Sequence, residues 1–444
     1  MNILQVNYYD NLGGAARIAW LLHQGYRARG HQSWMAAGIK FSQDPFVKQI
    51  PPTLPPSDIG KVVYTMAEIA NKNHIKIGSK NLAGLFRRIA DPSRYIHRNE
   101  GFEDFDFPES RLISSFPDQS PDIVHLHNLH LNYFDLTYLP ELTNHYPTIM
   151  TLHDMWPLTG HCAHSIECQR WKTGCGECPH LDIYPAMKHD QTAYNWNRKK
   201  EIYSKSKLYL TAPSNWIVET ARKSMLAPAI VKYKVIPNGI DLKIFHPLEK
   251  SKARDFLGLP QDTAIFLFVS DSGIQKSSYK DYFTIQKAIE IVSHKTNNKK
   301  LLIIALGDKQ SNKKIGEVEI KNVSHIDSAE EMAKYYQAAD IYLHAAKADT
   351  FPTVILEAQA CGTPVIATSV GGIPDTIIDG ETGFLTKAQD PQDMAESIID
   401  VLNDHRRLTV MGMKAAQFAA ANFGVDKMVQ SYLSFYEEIL NHEK

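Results

Sequence analysis

"ADTFPTVILEAQACGTPVIATSVGG", residues 348–372, holds two acids, Asp349 and Glu357, with seven residues between them. A proline and an apolar run separate the two acids, and a segment punctuated by Gly, Thr and Pro follows. Pro352 suits the first turn of a helix, because its missing N–H is one of the donors a helix start leaves free anyway. The helix then runs from Thr353 to Cys361, with Gly362 as its stop. That puts Asp349 in the loop before the helix and Glu357 about one turn inside it. The N–H groups of Thr353 and Val354, unused within the helix, form a small anion site. Phosphate at the helix start and hydroxyls at each carboxylate match a ligand with the shape of a nucleotide-sugar. The plainer reading is an electrostatic cap at Asp349 and a solvated Glu357.

The stretch belongs to the second of two series in which apolar runs alternate with helical patterns. In the first, "NILQVNYY" leads through "DNLGGAA" into "RIAWLLHQGYRARG", which has helical spacing and ends at Gly30; "HQSWMAAG" follows. "PDIVHLH", "PTIMTLH" and "KLYLTAPS" read as later buried strands. In the second, strands "AIFLFVS", "LLIIALG", "ADIYLHAA" and "TPVIATS" alternate with helices around "YFTIQKAIEIVSH", "SAEEMAKYYQAA" and "PTVILEAQAC". Continuous apolar strands between helices predict parallel sheets covered on both faces. The fold class is therefore α/β, with two doubly wound Rossmann-like domains facing across a cleft. Pro237, Gly239 and Pro247 mark the linker. Residues 1–238 are expected to form the first domain, carrying an irregular insertion at about 41–120 and a cysteine cluster at 162–178. Residues 239–425 form the second domain, and an amphipathic helix at about 426–444 is expected to pack back on the first.

Length and charge narrow the function classes. The chain has 444 residues, too many for one ordinary core and suited to two or three domains. The apolar fraction of 43% is that of a folded globular protein. A net charge of −1 gives no overall field for nucleic acid, so no nucleic-acid partner is expected. No apolar run reaches the roughly 18 residues of a membrane span. The N-terminus runs straight into a strand without the layout of a signal peptide, so a cytoplasmic location is expected. One local exception is the basic stretch 71–98, "NKNHIKIGSKNLAGLFRRIADPSRYIHR". It reads either as a peripheral contact with an anionic membrane that presents a lipid-linked acceptor, or as an ordinary solvated helix face.

Polar residues collect where the strands end. Gly13 and Gly14 follow the first strand, His127 follows "DIVHL", His153 and Asp154 follow "IMTL", Asn238 follows "KVIP", and Asp349 comes shortly after "DIYLHAA". Ligands of open α/β sheets sit at those carboxyl ends. Loops are polar in any case, but the recurrence in both series points to one ligand site.

Four of the five cysteines, Cys162, Cys168, Cys175 and Cys178, have the spacing C-x5-C-x6-C-x2-C. In a reducing compartment such clustering speaks for metal over disulfides. The last pair is a half-site for tetrahedral zinc, and four thiolates would close the shell, which makes the expected zinc structural. Free buried thiols or disulfides are the alternatives, and His161 or His164 can replace one sulfur.

The acid-x7-Glu pattern with "AQACGTPVIATSVGGIPD", the "PSNW…VIPNGID" stretch and the opening "GGAARIA" resemble retaining glycosyltransferases of family four, which have the two-Rossmann-domain GT-B fold. "TLHDMWPLTGHCAHSIECQRWKTGCGECP" further resembles a bacterial subgroup that builds exopolysaccharide, capsule and other surface glycans. The resemblance spans nearly the whole chain and is weakest at 41–120. It implies that Glu357 binds the nucleotide ribose and Asp349 the hydroxyls of the donor sugar. The backbone from Phe351 through Pro352 and Thr353 to Val354 would contact sugar and diphosphate, with Thr350 and Asn238 also on the donor. His153 would hydrogen-bond the donor sugar near the reacting carbon, and Gly13 and Gly14 would let the backbone approach diphosphate and acceptor. His127 and Asp154 are acceptor-side candidates. The family usually has Glu where Asp349 stands, which bears on donor choice. Its Arg…Lys-Gly phosphate clamp is altered: Lys280 is retained, Asp281 replaces the glycine, and Lys276 is the candidate for the missing arginine.

The expected reaction is retaining and needs no catalytic metal, with His153, Asp349 and Lys280 as its catalytic groups. A sugar passes from a nucleotide-sugar, UDP before GDP, to a glycan or lipid-linked glycan acceptor in surface-polysaccharide biosynthesis. Two other readings compete. One is an enzyme that bridges the diphosphate with a metal on Asp104 and Asp106 of "EDFDF". The other is a non-catalytic nucleotide-sugar-binding scaffold or sensor on the same fold.

Overall fold

Every apolar run singled out above forms a strand. The computed structural model describes residues 1–72, 79–269, 279–295, 300–307, 312–315 and 318–443. Its first seven strands are β1 (Asn2–Tyr9), β2 (Gln32–Ile39), β3 (Val47–Gln49), β4 (Ile123–Leu126), β5 (Thr148–Thr151), β6 (Leu208–Ala212) and β7 (Ile230–Val235). They form one sheet in the order β3-β2-β1-β4-β5-β6-β7. The next seven are β8 (Ala264–Val269), β9 (Leu301–Leu306), β10 (Lys313–Ile315), β11 (Val318–Val323), β12 (Ile341–His344), β13 (Val365–Thr368) and β14 (Gly383–Thr386). Their order is β10-β11-β9-β8-β12-β13-β14, with β10 antiparallel to β11. The strand order reverses at β1/β4 in one sheet and at β8/β12 in the other, and these are the switch points where doubly wound sheets open a crevice.

Two compact units divide the chain: Met1–Leu210 with Thr220–Tyr233 and Ile439–Lys444, and Thr211–Glu219 with Lys234–Glu438. The last helix, Val425–His442, is thus counted with the second unit through Glu438 and with the first from Ile439. The region read as an insertion is not wholly irregular. Val47–Gln49 extends the first sheet in parallel with β2, and helices Asp58–Lys72, Ser79–Ala90 and Pro92–Asn99 follow.

Side-chain alternation explains why helices cover both faces of the second sheet. Along β8, Ile265 and Leu267 enter one core layer while Phe266 and Phe268 enter the other. Ile304 and Ile303 split the same way on β9, as do Val365 and Ile366 on β13. One layer is closed by Tyr336 of helix Ala329–Ala338 and by Ile355 and Leu356 of helix Thr353–Ala360. The opposite layer is closed by Ile285 and Ile289 of helix Tyr282–Lys295 and by Ile398 of helix Pro391–Asn403. Strands apolar at every position bury both faces, which is why they read as unbroken runs and not as alternation.

Asp281, where the family pattern has glycine, starts the helix Tyr282–Lys295. One carboxylate oxygen accepts from the Thr284 backbone N–H at 3.3 Å and the other from the Thr284 hydroxyl at 2.6 Å. The side chain is 4% exposed. The departure from the pattern is therefore an N-cap. Asp281→Ala is expected to lower unfolding free energy by about 1 kcal/mol, and Asp281→Asn by much less. Urea unfolding followed by circular dichroism checks both.

Candidate functional site

In the second unit, Asp349 lies in the loop after β12, and its Oδ2 accepts from Lys280 Nζ at 2.8 Å. Residue 280 is brought there by an isolated bridge between Lys280 and Ala346. His344, the last residue of β12, stands 3.3 Å from Lys280 Nζ and 3.6 Å from Asp349 Oδ2 through its Nε2. Burial pushes the Asp349 carboxyl up, but Lys280 and His344 outweigh it and hold it well below the usual carboxylate range. Burial, aided by Lys280, lowers His344 to about 4 and keeps its ring neutral at pH 7. Asp349 therefore carries a full charge in a half-buried setting, where the opposite charge of Lys280 stabilises it. Lys276 lies outside the described residues.

The helix after Asp349 is Thr353–Ala360, with Pro352 as its N-cap residue. Gly362 has φ +81°, the left-handed stop expected of it. Glu357 is 6% exposed, and Tyr336 donates its hydroxyl to Oε2 at 3.1 Å. The solvated-surface alternative for Glu357 is thereby excluded. Thr353 and Val354 present amide N–H groups at the helix start. Thr350 and Phe351 are buried; Ser214 Oγ donates to the Thr350 carbonyl at 3.0 Å, and Asn238 Nδ2 lies 3.5 Å from the Phe351 carbonyl. The glycine pair that ends the opening stretch presses on this loop. A Cβ on Gly371 would meet the Asp349 carbonyl at 2.1 Å, and one on Gly372 the Thr350 carbonyl at 1.8 Å. Only glycine lets the two backbones come so close.

In the first unit, Gly13 has φ +92° and precedes helix Gly14–Ala28, with open space around both glycines. His153 follows β5 and His127 follows β4. Their facing nitrogens, Nε2 of His153 and Nδ1 of His127, are 2.9 Å apart, and the rings stack at 5.2 Å. His127 is 2% exposed and its other nitrogen meets Gln5 Oε1 at 3.0 Å. It therefore stands behind His153 and braces it. Burial lowers His153 to about 4 despite Asp154. Asp154 is taken up locally: it accepts from His130 at 3.1 Å and from the Trp156 N–H at 2.8 Å. Both acceptor-side candidates are thus engaged in holding the loop.

Sequence reasoning missed what holds that loop. Lys199, fully buried, donates to Glu103 Oε1 at 3.0 Å and to the carbonyls of Trp156 and Thr159 at 3.2 and 3.1 Å. The Trp156 indole N–H donates to Glu103 at 2.6 Å. The sequence gives no local hint, since Lys199 sits among the polar residues of "YNWNRKKEIY" and Glu103 in the acidic "EGFEDFD". Asp104 and Asp106 of the metal-bridging alternative are spent on arginines. Arg94 reaches Asp104 at 3.1 Å and Asp106 at 3.0 Å, and Arg98 reaches Asp104 at 2.6 Å. A divalent ion there would have to displace guanidinium groups.

The described part of the stretch 71–98 uses several of its charges locally. Arg87 pairs with Glu68 at 2.8 Å, and Arg94 and Arg98 with the aspartates just named, so much of its charge is internally used. Apolar residues also face solvent there and on the preceding helix, beside the exposed Arg87 and Arg88. Ile59, Val62, Met66 and Ile69 recur along one face of helix Asp58–Lys72 at 80, 56, 49 and 54% exposure. Leu82, Leu85 and Ile89 do the same on helix Ser79–Ala90.

Residues 12–244 match the family described as Glycosyltransferase Family 4, and residues 249–418 that described as Glycosyl transferases group 1. The putative colanic acid biosynthesis glycosyl transferase WcaC of Escherichia coli K12 is 24% identical over 99% of this chain and 100% of its own length. D-inositol 3-phosphate glycosyltransferase 2 of Catenulispora acidiphila is 32% identical over 41% of this chain, a match that spans only 45% of that relative. Sucrose-phosphate synthase from Thermosynechococcus elongatus shares the fold at a TM-score of 0.61 and 18% identity, with 99% of each chain covered. Anabaena HepE, in complex with UDP, does so at 0.61 and 15%, covering 99% of this chain and 100% of its own. Among the described residues, no helix is long and apolar enough to cross a membrane.

Two outcomes are expected from this geometry. Gly372→Ala must displace the Asp349–Thr350 backbone, so it should destabilise the second unit and weaken ligand binding there together. The pH dependence follows from His344 and His153, whose folded pKa values near 4 lie below the ordinary 6.5. Between those values the unfolded chain binds more protons, so stability falls as pH drops from 6.5 towards 4. Each ring contributes on the order of 2 kcal/mol at pH 5. Urea midpoints measured from pH 7 to 4 should fall, and His344→Gln should flatten the slope.

Proposed function

The chain belongs to glycosyltransferase family 4, and from that premise we propose that it is a retaining, metal-independent hexosyltransferase of surface-polysaccharide biosynthesis. The donor is a nucleotide-sugar, UDP before GDP, and the acceptor a glycan or lipid-linked glycan at the cytoplasmic side. The polysaccharide reading is supported by the name of the full-length relative, a putative colanic acid enzyme. The observation that carries the proposal is the group formed by Lys280, Asp349 and the start of helix Thr353–Ala360, with Glu357 buried one turn further on.

In this reading Glu357 takes the ribose hydroxyls and the Thr353 and Val354 amides take a phosphate. Asp349 accepts from hydroxyls of the sugar, and Lys280, positioned by that same carboxylate, faces the diphosphate. As the bond from the anomeric carbon to the phosphate oxygen breaks, charge grows on the leaving nucleoside diphosphate. An ammonium and preset amides stabilise that charge without reorganising, each worth about 3 kcal/mol of barrier by the scale of oxyanion-hole donors. The acceptor oxygen bonds to the carbon on the same face, and its proton passes to the leaving phosphate. His153, neutral at pH 7, is proposed to hydrogen-bond the transferred sugar.

Glu357→Gln should weaken free UDP or GDP by tenfold or more, since a hydrogen bond to a charged group contributes about 1.5–3 kcal/mol. Asp349→Asn should weaken the intact donor and leave the free nucleotide largely unaffected. His153→Ala should lower turnover more than nucleotide affinity. Calorimetry with nucleotide and nucleotide-sugar, beside donor hydrolysis, separates these effects. Equal loss of free nucleotide in the first two variants would contradict the division of roles. Binding without hydrolysis or transfer to any glycan would make the chain a scaffold.

Peripheral membrane contact is part of the same proposal. It is supported by the exposed apolar faces of helices Asp58–Lys72 and Ser79–Ala90, with Arg88 exposed beside Ile89. Apolar residues inserted among headgroups and a positive flank suit an anionic bilayer. The protein should pellet with anionic but not neutral vesicles. High salt should weaken the contact, and Ile59→Glu with Ile69→Glu should abolish it. Equal pelleting of the double variant would exclude this face.

A further inference from the structure

We propose that Cys162, Cys168, Cys175 and Cys178 bind one zinc ion in a closed, structural site that fixes the loop carrying His153. All four line one cavity of about 20 Å³, together with Thr159, His161 and Trp171. That is room for about one ion or one water. The fifth cysteine, Cys361, lies elsewhere, buried in the second unit's core. None of the five is in a disulfide.

The backbone around the last pair is shaped for sulfur ligands. Gly174, Cys175, Gly176 and Glu177 all have positive φ, at 143, 55, 85 and 43°. Two of these are not glycine, and such a run is costly unless something holds it. The C-x2-C pair lies on and beside this run, and both of its cysteines line the cavity. Gly160 N–H donates to Cys175 Sγ at 3.3 Å, and His161 Nε2 stands 3.4 Å from Cys178 Sγ. The Gly160 N–H is the kind of outer donor that a thiolate needs once it carries charge, whereas His161, whose Nδ1 donates to the Pro185 carbonyl at 3.1 Å, turns an unprotonated Nε2 to Cys178. The buried Lys199 ammonium acts electrostatically on both Cys162 and Cys175. Among the described residues, no group of three or more His, Cys, Asp or Glu side chains stands close enough to hold a metal ion as placed. The ion itself has to pull the sulfurs in across the cavity. Binding exchanges four S–H bonds for four Zn–S bonds and releases four protons to solvent.

The site's role follows from its neighbours. Residues 152–191 contain no α-helix or strand, only the short turns Trp156–Leu158 and Arg170–Lys172. Met155 N–H donates to the Ala163 carbonyl at 2.7 Å, so the cysteine segment is tied directly to the residues after His153. With four sulfurs bound, no coordination position is left for water, and the ion takes no part in a reaction.

The test uses the full chain purified under reducing conditions. Elemental analysis should find about one zinc per chain. Replacement by cobalt should give the visible bands of a tetrahedral site with thiolate charge transfer. A thiol reagent should find four fewer reactive groups before chelation than after it. Cys175→Ser with Cys178→Ser should lose the metal and lower the Tm, while Cys361→Ser should keep it. If the double variant does not fold, the thiol count on the wild-type chain still decides. Metal-free wild-type protein whose four thiols react equally with and without chelator overturns the proposal, as do disulfides in reduced preparations. Zinc lost on His161→Ala but kept on replacing one cysteine would overturn the four-sulfur set.

Discussion

A charged carboxylate withdrawn most of the way from solvent has to be compensated, and half-buried Asp349 is where this chain meets that constraint. Its partners come from separate places: Lys280 from the segment after β8 and His344 from the end of β12. The two strands are neighbours at the point where the sheet order reverses. The charge thus fixes the mouth of the second sheet. It sets where the chain enters helix Thr353–Ala360, and the close approach of Gly371 and Gly372 holds the returning backbone against it. Two opposite charges, both half-buried, beside free helix amides are a group already arranged for an anionic ligand.

The first unit solves a different problem with neutral groups. His125, His127 and His153 lie together, and none can afford a proton at pH 7. The polar row is held by exchange of hydrogen bonds, from Gln5 through His127 to His153. A neutral imidazole keeps one nitrogen as donor and one as acceptor, which a charged ring cannot. Its orientation is then set from behind, by residues that no solvent molecule reaches.

Strands buried on both faces were legible because each is an unbroken apolar run, and the helix after Asp349 because Pro352 and Gly362 bracket it. The strands that escaped notice are short or sit near sheet edges. β7, "IVKYKV", is half exposed, and β3 has only one buried residue. Their patterns are those of ordinary surface segments. Asp349, Glu357 and His153 stood out through their place in the pattern. Lys199, Glu103, Gln5 and Tyr336 did not, because their partners lie far away in sequence and only the folded chain brings them together. Asp281 was readable in principle: an acid three residues before Thr284 is an N-cap signature, but the glycine it replaces drew attention elsewhere. In the basic stretch the sequence shows the arginines but not their partners, since Asp104 and Asp106 meet Arg94 and Arg98 only in the folded chain.

The final helix carries a consequence for anyone recombining this architecture. Tyr209, on β6, gives its hydroxyl to Glu443 at 2.5 Å and lies 3.2 Å from His442, so the last residues of the chain belong with one of its early strands. The two units are therefore not two beads on a string. A hybrid spliced once, near residue 238, would hand the first unit a foreign ending and strand a phenol without its partners. An exchange that respects the molecule needs two seams, the second at about residue 438, where the division of the last helix falls.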